Sequence, residues 1–425
     1  MKRFLCFASL IVILASCGGE VEEKIDTTLW AGSGGDTMRS SLAAGEIVAP
    51  FGKMWETEIN GLGVSSVAVA LVPPEEEKGR LTAVYRLVIA SGNDGAVYGI
   101  DFDTGMKMWE KRVEGMTGNP LYYSGKVFIS TTKGFWYCLS AWTGDEIWSA
   151  RYSEKELERP DNATPVVYSG KLYCAHSNGV LFCFDANKGT ELWKKVFKDS
   201  IQCSPVVVED KIILSTYEMN VVALDPGNGN ELWNSKVESP VTTTLISDGK
   251  LVFAPQAFGI VSAFDVADGK EAWKIKACET IAYSPCLTKS GLMAIPDKKT
   301  GKIVFVRLSS GIVDSEVKVP WPSSGLVAAG EMVCFTTEDG KVYTVDAAKK
   351  QAIESFDFGT KGADNRYRKF GDPCIIQGRL FISDGASKLY MFVPKGFEPT
   401  KIEDGSTTIP SNNQPKEIKQ PKNNP

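Results

Sequence analysis

One short pattern that returns along the chain constrains this sequence more than any other feature. It runs Gly, x, apolar, aromatic or apolar, x, apolar, Asp, three residues, Gly, three residues, Trp. Copies occupy residues 95–109, 134–148, 179–193, 219–233 and 259–273, with Ser140 replacing the Asp and Met219 replacing the first Gly. Self-similarity of this kind indicates a repeat architecture, in which each unit buries its apolar face against its neighbours.

The repeated residue types have mechanical roles. An Asp before a Gly-ended turn accepts hydrogen bonds from the turn N–H groups, and the Gly adopts a left-handed backbone. A Trp on the outermost strand packs its flat ring against the adjacent unit. We therefore predict structural docking roles for Asp101, Asp185, Asp225, Asp265, Gly105, Gly144, Gly189, Gly229, Gly269, Trp55, Trp109, Trp148, Trp193, Trp233 and Trp273.

Each unit reads as four short strands. The units open with a Pro before an apolar run, and Gly, Asp and Asn turns separate their strands, which is typical of one blade of a β-propeller. Eight such sets are present. The last set lacks a fourth strand, whereas Trp55 precedes the first set in the context of one. The sequence thus predicts an all-β, eight-bladed propeller over residues 51–394, closed by the N-terminal strand, with seven blades as the alternative because the copies at 301–315 and 340–354 have decayed.

The N-terminus carries an export signal. Lys2 and Arg3 precede an apolar run too short to span a bilayer, and the following Leu14 to Gly18 resembles a bacterial lipobox. We expect a signal peptide over residues 1–16 and lipidation of Cys17. An ordinary signal peptide with an incidental Cys, or an N-terminal membrane helix, are the alternatives. Gly18 favours the outer membrane, facing the periplasm, and surface exposure stays open.

Two segments outside the repeats have the composition of unstructured chain. Residues 17–50 are expected to form the lipidated Cys and a flexible linker, and residues 395–425 a disordered polar tail. Two charged loops between blades are candidate partner contacts, and they contribute Glu158, Arg159, Arg366, Tyr367 and Arg368.

Composition argues against several kinds of chemistry. The chain has 47 basic and 52 acidic residues, so nucleic acid is not an expected partner. Its single histidine, His176, precedes a turn, and we predict neither a catalytic nor a metal site. The eight cysteines after Cys17 read as small buried residues, although a disulfide framework, with Cys174 and Cys183 as the candidate pair, stays open.

The Asp-x-x-x-Gly-x-x-x-Trp turn resembles the tryptophan-docking motif of the PQQ-like, quinoprotein-type propeller superfamily. Quinoprotein dehydrogenases of that superfamily bind a quinone beside calcium and a catalytic Asp, and many carry an adjacent Cys-Cys pair. This sequence has no Cys-Cys and no long insertions. No cofactor is therefore expected.

With its lipobox-like start, compact blades and N-terminal closing strand, the chain more closely resembles the BamB family of outer-membrane lipoproteins. That resemblance implies a non-enzymatic scaffold that binds protein partners, among them the outer-membrane β-barrel assembly machinery. Two alternatives stay open: a propeller that binds a small ligand or polysaccharide in its channel, and a PQQ-dependent dehydrogenase-like protein.

Overall fold

The computed structural model describes most of the chain, and the structural statements below concern those residues. The described ranges are 28–30, 35–43, 47–59, 67–72, 76–77, 80–81, 85–92, 94–153, 163–201, 203–358, 370–384 and 387–396. Within them, no helix combines the length and the apolar composition that crossing a membrane requires.

The described residues form eight blades, each an antiparallel meander of four strands called inner, second, third and outer. The inner strands are Ala68–Val72, Leu121–Tyr123, Val166–Tyr168, Val206–Val208, Ile246–Ser247, Cys286–Leu287, Val327–Ala329 and Cys374–Ile376. The second strands are Tyr85–Ser91, Lys126–Ser130, Lys171–His176, Lys211–Thr216, Leu251–Pro255, Leu292–Asp297, Met332–Thr336 and Arg379–Ser383. The third strands are Ala96–Asp101, Phe135–Ser140, Val180–Asp185, Asn220–Leu224, Ile260–Asp265, Lys302–Arg307, Lys341–Asp346 and Lys388–Pro394. The outer strands are Lys107–Arg112, Glu146–Arg151, Glu191–Val196, Glu231–Lys236, Glu271–Lys276, Val313–Lys318, Gln351–Asp357 and, in blade eight, Phe51–Glu58.

Four short elements lie outside this scheme. Thr28–Trp30 pairs with the inner strand of blade one, and Leu42–Ala43 pairs with the inner strand of blade seven. Glu76–Glu77 pairs with Arg80–Leu81. A 3₁₀ turn covers Ala257–Gly259.

Strand burial follows the sequence pattern of each blade. In blade four the second strand, Lys211–Thr216, is apolar on both faces and is buried from its second residue onward. The outer strand, Glu231–Lys236, is exposed at most positions, with Trp233 buried. The second strand of this blade is therefore covered on both sides by the neighbouring blades, whereas its outer strand meets solvent.

The ring closes through its two ends. Phe51–Glu58 pairs antiparallel with Lys388–Pro394, with Phe51 opposite Pro394 and Glu58 opposite Lys388. An N-terminal strand thus completes the eighth blade and leaves no open edge there. The prediction of an eight-bladed propeller closed in this way is confirmed, and the seven-bladed alternative is wrong.

Meander topology gives the propeller two different faces. One face, which we call the loop face, carries the starts of the inner strands, the turns between second and third strands, and the connections from one blade to the next. The opposite face, the turn face, carries the turns between inner and second strands and between third and outer strands. Asp225 and Gly229 lie in such a third-to-outer turn.

Docking tryptophans connect blades at six of the eight junctions. The indole N–H of each donates to the carbonyl of the residue that follows the turn Asp, or its Ser or Arg equivalent, in the next blade. The donors Trp55, Trp109, Trp148, Trp193, Trp233 and Trp273 reach Phe102, Ala141, Ala186, Pro226, Val266 and Leu308 at 3.1, 2.9, 3.2, 3.3, 3.0 and 2.8 Å. Trp55 makes this contact across the closure, from blade eight to blade one.

The turn glycine of each such blade lies against the preceding tryptophan. At Gly269, where φ is +74°, an added Cβ would lie 2.6 Å from Trp233 Cδ2. In the same turn, Asp265 Oδ1 accepts a hydrogen bond from Ala267 N at 2.8 Å. The glycine is therefore needed both for its backbone conformation and for the space that the tryptophan takes.

The residue opposite the tryptophan on the third strand is small in blades one to five. Gly99, Cys138, Cys183, Ala223 and Ala263 pair with Trp109, Trp148, Trp193, Trp233 and Trp273. At Gly99 an added Cβ would lie 2.2 Å from the Trp109 ring. The ring thus lies across the small residue.

Blades six and seven reverse this arrangement. Phe305 pairs with Ser315, and Tyr343 pairs with Glu354, so the aromatic residue lies on the third strand. Phe305 is fully buried in a cluster shared with blade seven. The turn position that faces Ser315 from blade seven is Lys350, at φ +57°. The tryptophan and the glycine are therefore lost together at this junction.

Other contacts stabilise the last two junctions. Asp314 pairs with Arg307 at 2.8 Å and with Lys350 of blade seven at 3.5 Å. Between blades seven and eight, the Phe358 ring centroid lies 5.0 Å from that of Phe370 and 4.9 Å from that of Tyr390. Aromatic packing takes the place of the docking tryptophan there.

The eight propeller cysteines are free thiols, and seven of them are buried. Cys174 lies opposite Phe182, whereas Cys183 lies opposite Tyr173. Because neighbouring strand residues point to opposite faces, the two thiols lie on opposite sides of blade three and cannot pair. Burial raises the pKa of Cys183 to about 12. Cys138 and Cys183 act as the small residues beneath tryptophans, and the candidate disulfide is wrong.

Candidate functional site in the central channel

Part of the N-terminal segment runs along the wall of the central channel. Carbonyl oxygens of this segment accept hydrogen bonds from one inner strand after another, in blades four to seven. The donors are the N–H groups of Val207, Ser247, Leu287 and Ala328, and the acceptors are Thr37, Met38, Ser40 and Ser41, at 2.8, 3.0, 2.9 and 2.9 Å. Leu42–Ala43 then continues parallel to the inner strand of blade seven.

This order differs from the flexible linker expected over residues 17–50. Residues 28–30 and 35–43 are held against inner strands because those strands have an unused edge facing the channel. Backbone carbonyls of the N-terminal segment satisfy N–H groups on that edge. The segment is thus part of the propeller core.

Arg39 anchors the segment across the channel. Its side chain is 4% exposed, and Nη2 donates to the carbonyls of Thr164 at 2.8 Å and Pro165 at 2.9 Å, in blade three. Burial lowers the pKa of the guanidinium to about 10, and the nearby Asp36 acts in the opposite direction. Asp36 also accepts hydrogen bonds from Ser40 N at 3.0 Å and Ser40 Oγ at 2.5 Å.

A polar cavity of about 310 Å³ opens at the loop-face end of the channel. Its wall comes from residues that immediately precede the inner strands of blades two to six and eight. They are Asn119, Ala163, Ser204, Thr242, Thr243, Thr244, Ala282, Tyr283, Ser284 and Asp372. Hydroxyl groups dominate this wall, and Asp372 is its one charged member.

Thr164 connects the N-terminal segment to the cavity. Its carbonyl accepts from Arg39, its N–H donates to Ser204 Oγ at 2.9 Å, and its hydroxyl accepts from Asn119 Nδ2 at 3.3 Å. Both Ser204 and Asn119 line the cavity. The position of Arg39 therefore helps to set the shape of the cavity wall.

Asp372 is held in place by a close backbone approach. Its Oδ1 accepts a hydrogen bond from Gly325 N at 2.7 Å, and a Cβ on Gly325 would lie 2.9 Å from the carboxyl carbon. Asp372 is an exposed residue. Nevertheless, desolvation by the surrounding atoms raises the pKa of Asp372, and the Gly325 N–H acts in the opposite direction.

Three large aromatic residues are exposed on the loop face. Tyr217 and Phe258 lie in second-to-third turns of blades four and five, and Trp321 lies in the connection between blades six and seven. Their exposed fractions are 52%, 68% and 56%. Phe258 has φ of +61°, a conformation that bulky side chains rarely adopt. We call these three residues the aromatic arc.

The sequence-predicted residues fall into two groups. The docking Asp, Gly and Trp residues lie at blade junctions, outside the channel. Cys17 and the candidate contact residues Glu158, Arg159, Arg366, Tyr367 and Arg368 lie outside the described residues. Sequence reasoning missed the channel residues, because Asp36, Arg39 and Asp372 belong to no copy of the repeat.

His176 belongs to a turn. Its Nδ1 accepts a hydrogen bond from Asn178 N at 3.0 Å, and its ring packs against Tyr152 with centroids 4.9 Å apart. It lies at the end of the second strand of blade three and is 3% exposed. In the described part of the chain, no three His, Cys, Asp or Glu side chains are grouped to hold a metal ion.

Comparisons with known proteins identify the family. A family model described as outer membrane protein assembly factor BamB matches residues 93–242 and 220–396. The solved structure of BamB from Moraxella catarrhalis has a TM-score of 0.63 at 16% identity, over 81% of this chain and 99% of that chain. No curated protein sequence matches this chain.

Quinoprotein enzymes share the fold as well. A quinohemoprotein alcohol dehydrogenase from Comamonas testosteroni has a TM-score of 0.65 at 14% identity, over 87% of this chain and 81% of that chain. A europium-containing methanol dehydrogenase has a TM-score of 0.67 at 12% identity, over 87% of this chain and 99% of that chain. These identities show a common fold alone. The family match, which covers more than half of the sequence, shows that this chain belongs to the family of outer membrane protein assembly factor BamB.

Proposed function

We propose that this protein is a lipid-anchored, periplasm-facing scaffold that binds protein partners during assembly of outer-membrane β-barrel proteins. Family membership supports a place in the cell envelope and protein partners. The observation that carries the proposal is the aromatic arc on the loop face of a propeller of this family. The lipobox-like sequence around Cys17 supports the anchor.

The aromatic arc has the chemistry of a protein contact surface. Tyr and Trp are enriched at the centre of protein interfaces, because they bury a large apolar area with little loss of side-chain entropy. The backbone of Phe258 is strained, and a φ of this kind in a bulky residue costs about 1–2 kcal/mol. Its ring is nevertheless exposed, so packing within the propeller does not account for the strain.

The charged connections belong to the same proposal. The connections after Ser153 and after Phe358 both start from outer strands and lead to inner strands, so their ends lie on the loop face. Glu158, Arg159, Arg366, Tyr367 and Arg368 belong to these two connections, and we expect them to contribute charged contacts to the partner. A polar rim around an aromatic centre is the usual arrangement of a protein interface.

The proposed activity is binding without catalysis or a bound cofactor. The Asp and Trp residues of the repeat are engaged in turns and blade junctions, as with Asp185, whose Oδ1 accepts from Asn187 N at 2.8 Å. These groups are therefore unavailable for chemistry.

Partner capture from membranes tests the proposal. The full chain, carrying an affinity tag at its C-terminus, would be isolated from detergent-solubilised membranes of its own organism, and bound proteins identified by mass spectrometry. We expect the β-barrel assembly machinery among them. A clean isolation in which the tagged chain is abundant and the machinery is missing would contradict the assembly role.

Surface variants locate the contact. Tyr217→Ala, Phe258→Ala and Trp321→Ala together should reduce recovery of the partner by about tenfold or more, since interface aromatics contribute about 2 kcal/mol or more each. Met106→Ala with Ile312→Ala is the matched control, because these residues are 62% and 57% exposed on the turn face. Equal loss in both variants would reject the aromatic arc as the contact.

A further inference from the structure

The cavity at the loop-face end of the channel contains a carboxylate without an opposite charge. Asp372 accepts one hydrogen bond, from Gly325 N. Among the described residues, no cation forms an ion pair with it. Asp372 is an exposed residue in the cavity lining, so a cation that enters the cavity can contact its carboxylate directly and offset its negative charge.

Two of the described cations near the cavity wall already have carboxylate partners. Arg39, beneath Thr164, interacts electrostatically with Asp36. Lys298 donates to the Tyr283 hydroxyl at 3.2 Å, and its ammonium lies 3.9 Å from Glu338. Among the described residues, the negative charge of Asp372 therefore has no cationic partner, and the cavity favours a positively charged ligand.

The rest of the wall offers hydroxyl groups from several directions. Ser204, Thr242 and Ser284 come from three consecutive blades, and the Thr242 hydroxyl donates to Ile281 O at 3.0 Å. A hydroxyl both donates and accepts, so such a wall matches a ligand that carries hydroxyls of its own. A volume of about 310 Å³ lies at the small end of ligand pockets, which span about 300–1,000 Å³.

We propose that this cavity is a binding site for a small ligand with one primary ammonium group and several hydroxyl groups, the chemistry of an amino sugar. The ammonium group would contact the Asp372 carboxylate, and the sugar hydroxyls would contact the wall of Ser and Thr side chains. The Arg39 anchor would act as a positioning residue through Thr164. This site is separate from the aromatic arc and does not depend on the protein partner.

Calorimetric titration of the purified full chain with glucosamine tests the proposal, with glucose as the neutral comparison. Glucosamine should bind about tenfold more tightly than glucose, because its ammonium group can form a charge-assisted hydrogen bond with the Asp372 carboxylate. Asp372→Asn should remove that preference. It keeps an oxygen that can accept from Gly325 N, so the cavity wall is retained.

Asp248→Asn provides the matched control. Asp248 Oδ1 accepts from Lys250 N at 2.9 Å and Leu251 N at 2.8 Å, in a turn on the opposite face of the propeller. This variant should bind glucosamine as the wild type does. The proposal is overturned if wild-type protein does not prefer glucosamine to glucose, or if Asp372→Asn retains the preference. The sugar comparison uses wild-type protein, so it decides even where a variant folds poorly.

Discussion

At the scale of single residues, each turn glycine is constrained by a tryptophan of the preceding blade. Gly144, Gly189 and Gly229 each lie with a would-be Cβ within 2.8 Å of a ring atom. The turn position thus has two requirements, a positive φ and space for an indole ring. The turn sequence predicts the positive φ, whereas the need for space becomes visible only when the neighbouring blade is in place.

Comparing the stability of Gly269→Ala with that of Gly249→Ala should separate the effect of backbone strain from the effect of overlap with the tryptophan ring. Both glycines lie in blade five with positive φ, but nothing lies within 4 Å of a Cβ on Gly249. Gly249→Ala should cost about 1–2 kcal/mol for backbone strain alone. Gly269→Ala should cost about 1–3 kcal/mol more, because the methyl group overlaps Trp233. Urea denaturation followed by circular dichroism measures both, and equal costs would show that the tryptophan contact is unimportant.

At the scale of elements, blades six and seven exchange the positions of large and small residues between third and outer strands. Phe305 fills volume that Trp occupies elsewhere, while Ser315 takes the small position. The Ser315 Oγ is buried without a hydrogen-bond partner, as expected where a polar residue has replaced a docking ring. The loss of the repeat's tryptophan from the sequence of blade six is thus compensated by the packing of Phe305.

Restoring the tryptophan arrangement at this junction should require three changes together. Phe305→Ala alone should cost about 3–5 kcal/mol of unfolding free energy, through the cavity it leaves. Ser315→Trp alone should cost about 1–3 kcal/mol, through overpacking against Phe305 and Lys350. The triple variant Phe305→Ala, Ser315→Trp and Lys350→Gly should lose less unfolding free energy than the sum of the losses of the single variants. Urea denaturation measures each of these losses. Strictly additive costs would show that Phe305 does not substitute for the ring.

The strand that closes the ring carries an acid-sensitive contact. Hydrogen bonds from Lys388, on the facing strand, and from Lys53 lower the pKa of Glu56 to about 2. Because this pKa is lower in the folded state, the stabilisation is complete above the ordinary carboxyl value of 4.5 and is lost as pH falls towards 2.

Glu56→Gln should therefore lower stability near neutral pH and lose its effect as the pH falls through that window. The difference should be about 1 kcal/mol or less, since the side chain is 34% exposed. Urea midpoints of both proteins across the acid range measure it. Lys388→Met should reproduce most of the change. A gap between Glu56→Gln and wild type that stays constant down to the lowest pH would refute this account.

The sequence predicts the blades well and the channel poorly, for a physical reason. Docking side chains such as Trp148 are specific residue types at fixed spacing, so they leave a pattern. Residues 37–41 bind the inner strands mainly through backbone carbonyls, which every residue has. Their fixed position in the channel therefore leaves no side-chain pattern in the sequence. Asp372 is a lone carboxylate before a strand, and its cavity exists only when six blades are assembled.

At the scale of the whole molecule, the direction of the N-terminal strand sets an orientation. Thr28–Trp30 runs antiparallel to the inner strand of blade one, so its N-terminal end points to the turn face. Cys17 precedes Thr28 by 11 residues. At roughly 3.5 Å per residue, that chain reaches at most about 40 Å. If Cys17 carries the proposed lipid, the turn face would lie towards the membrane and the loop face away from it.

Fluorescent labels on the two faces test this orientation. A label on Ile312→Cys reports on the turn face, and a label on Phe258→Cys reports on the loop face. The native propeller thiols are mostly buried. Burial raises the pKa of Cys138 to about 12, which suppresses its reaction with the label. On vesicles with spin-labelled lipid, the label at 312 should be quenched more strongly. Cys17→Ser should remove quenching at both sites. Stronger quenching at 258 would reverse the orientation.

Closure of blade eight pairs a strand near the N-terminus with the last strand of the ring. During synthesis the N-terminus emerges first, yet Phe51–Glu58 has no partner strand until Lys388–Pro394 has followed it. A chain that ends early leaves unpaired edges in blade eight, and such edges attract aggregation and proteolysis. Only a chain synthesised through Lys388–Pro394 can therefore close the ring, and a protease that attacks unpaired strand edges would degrade shorter fragments and spare the closed propeller.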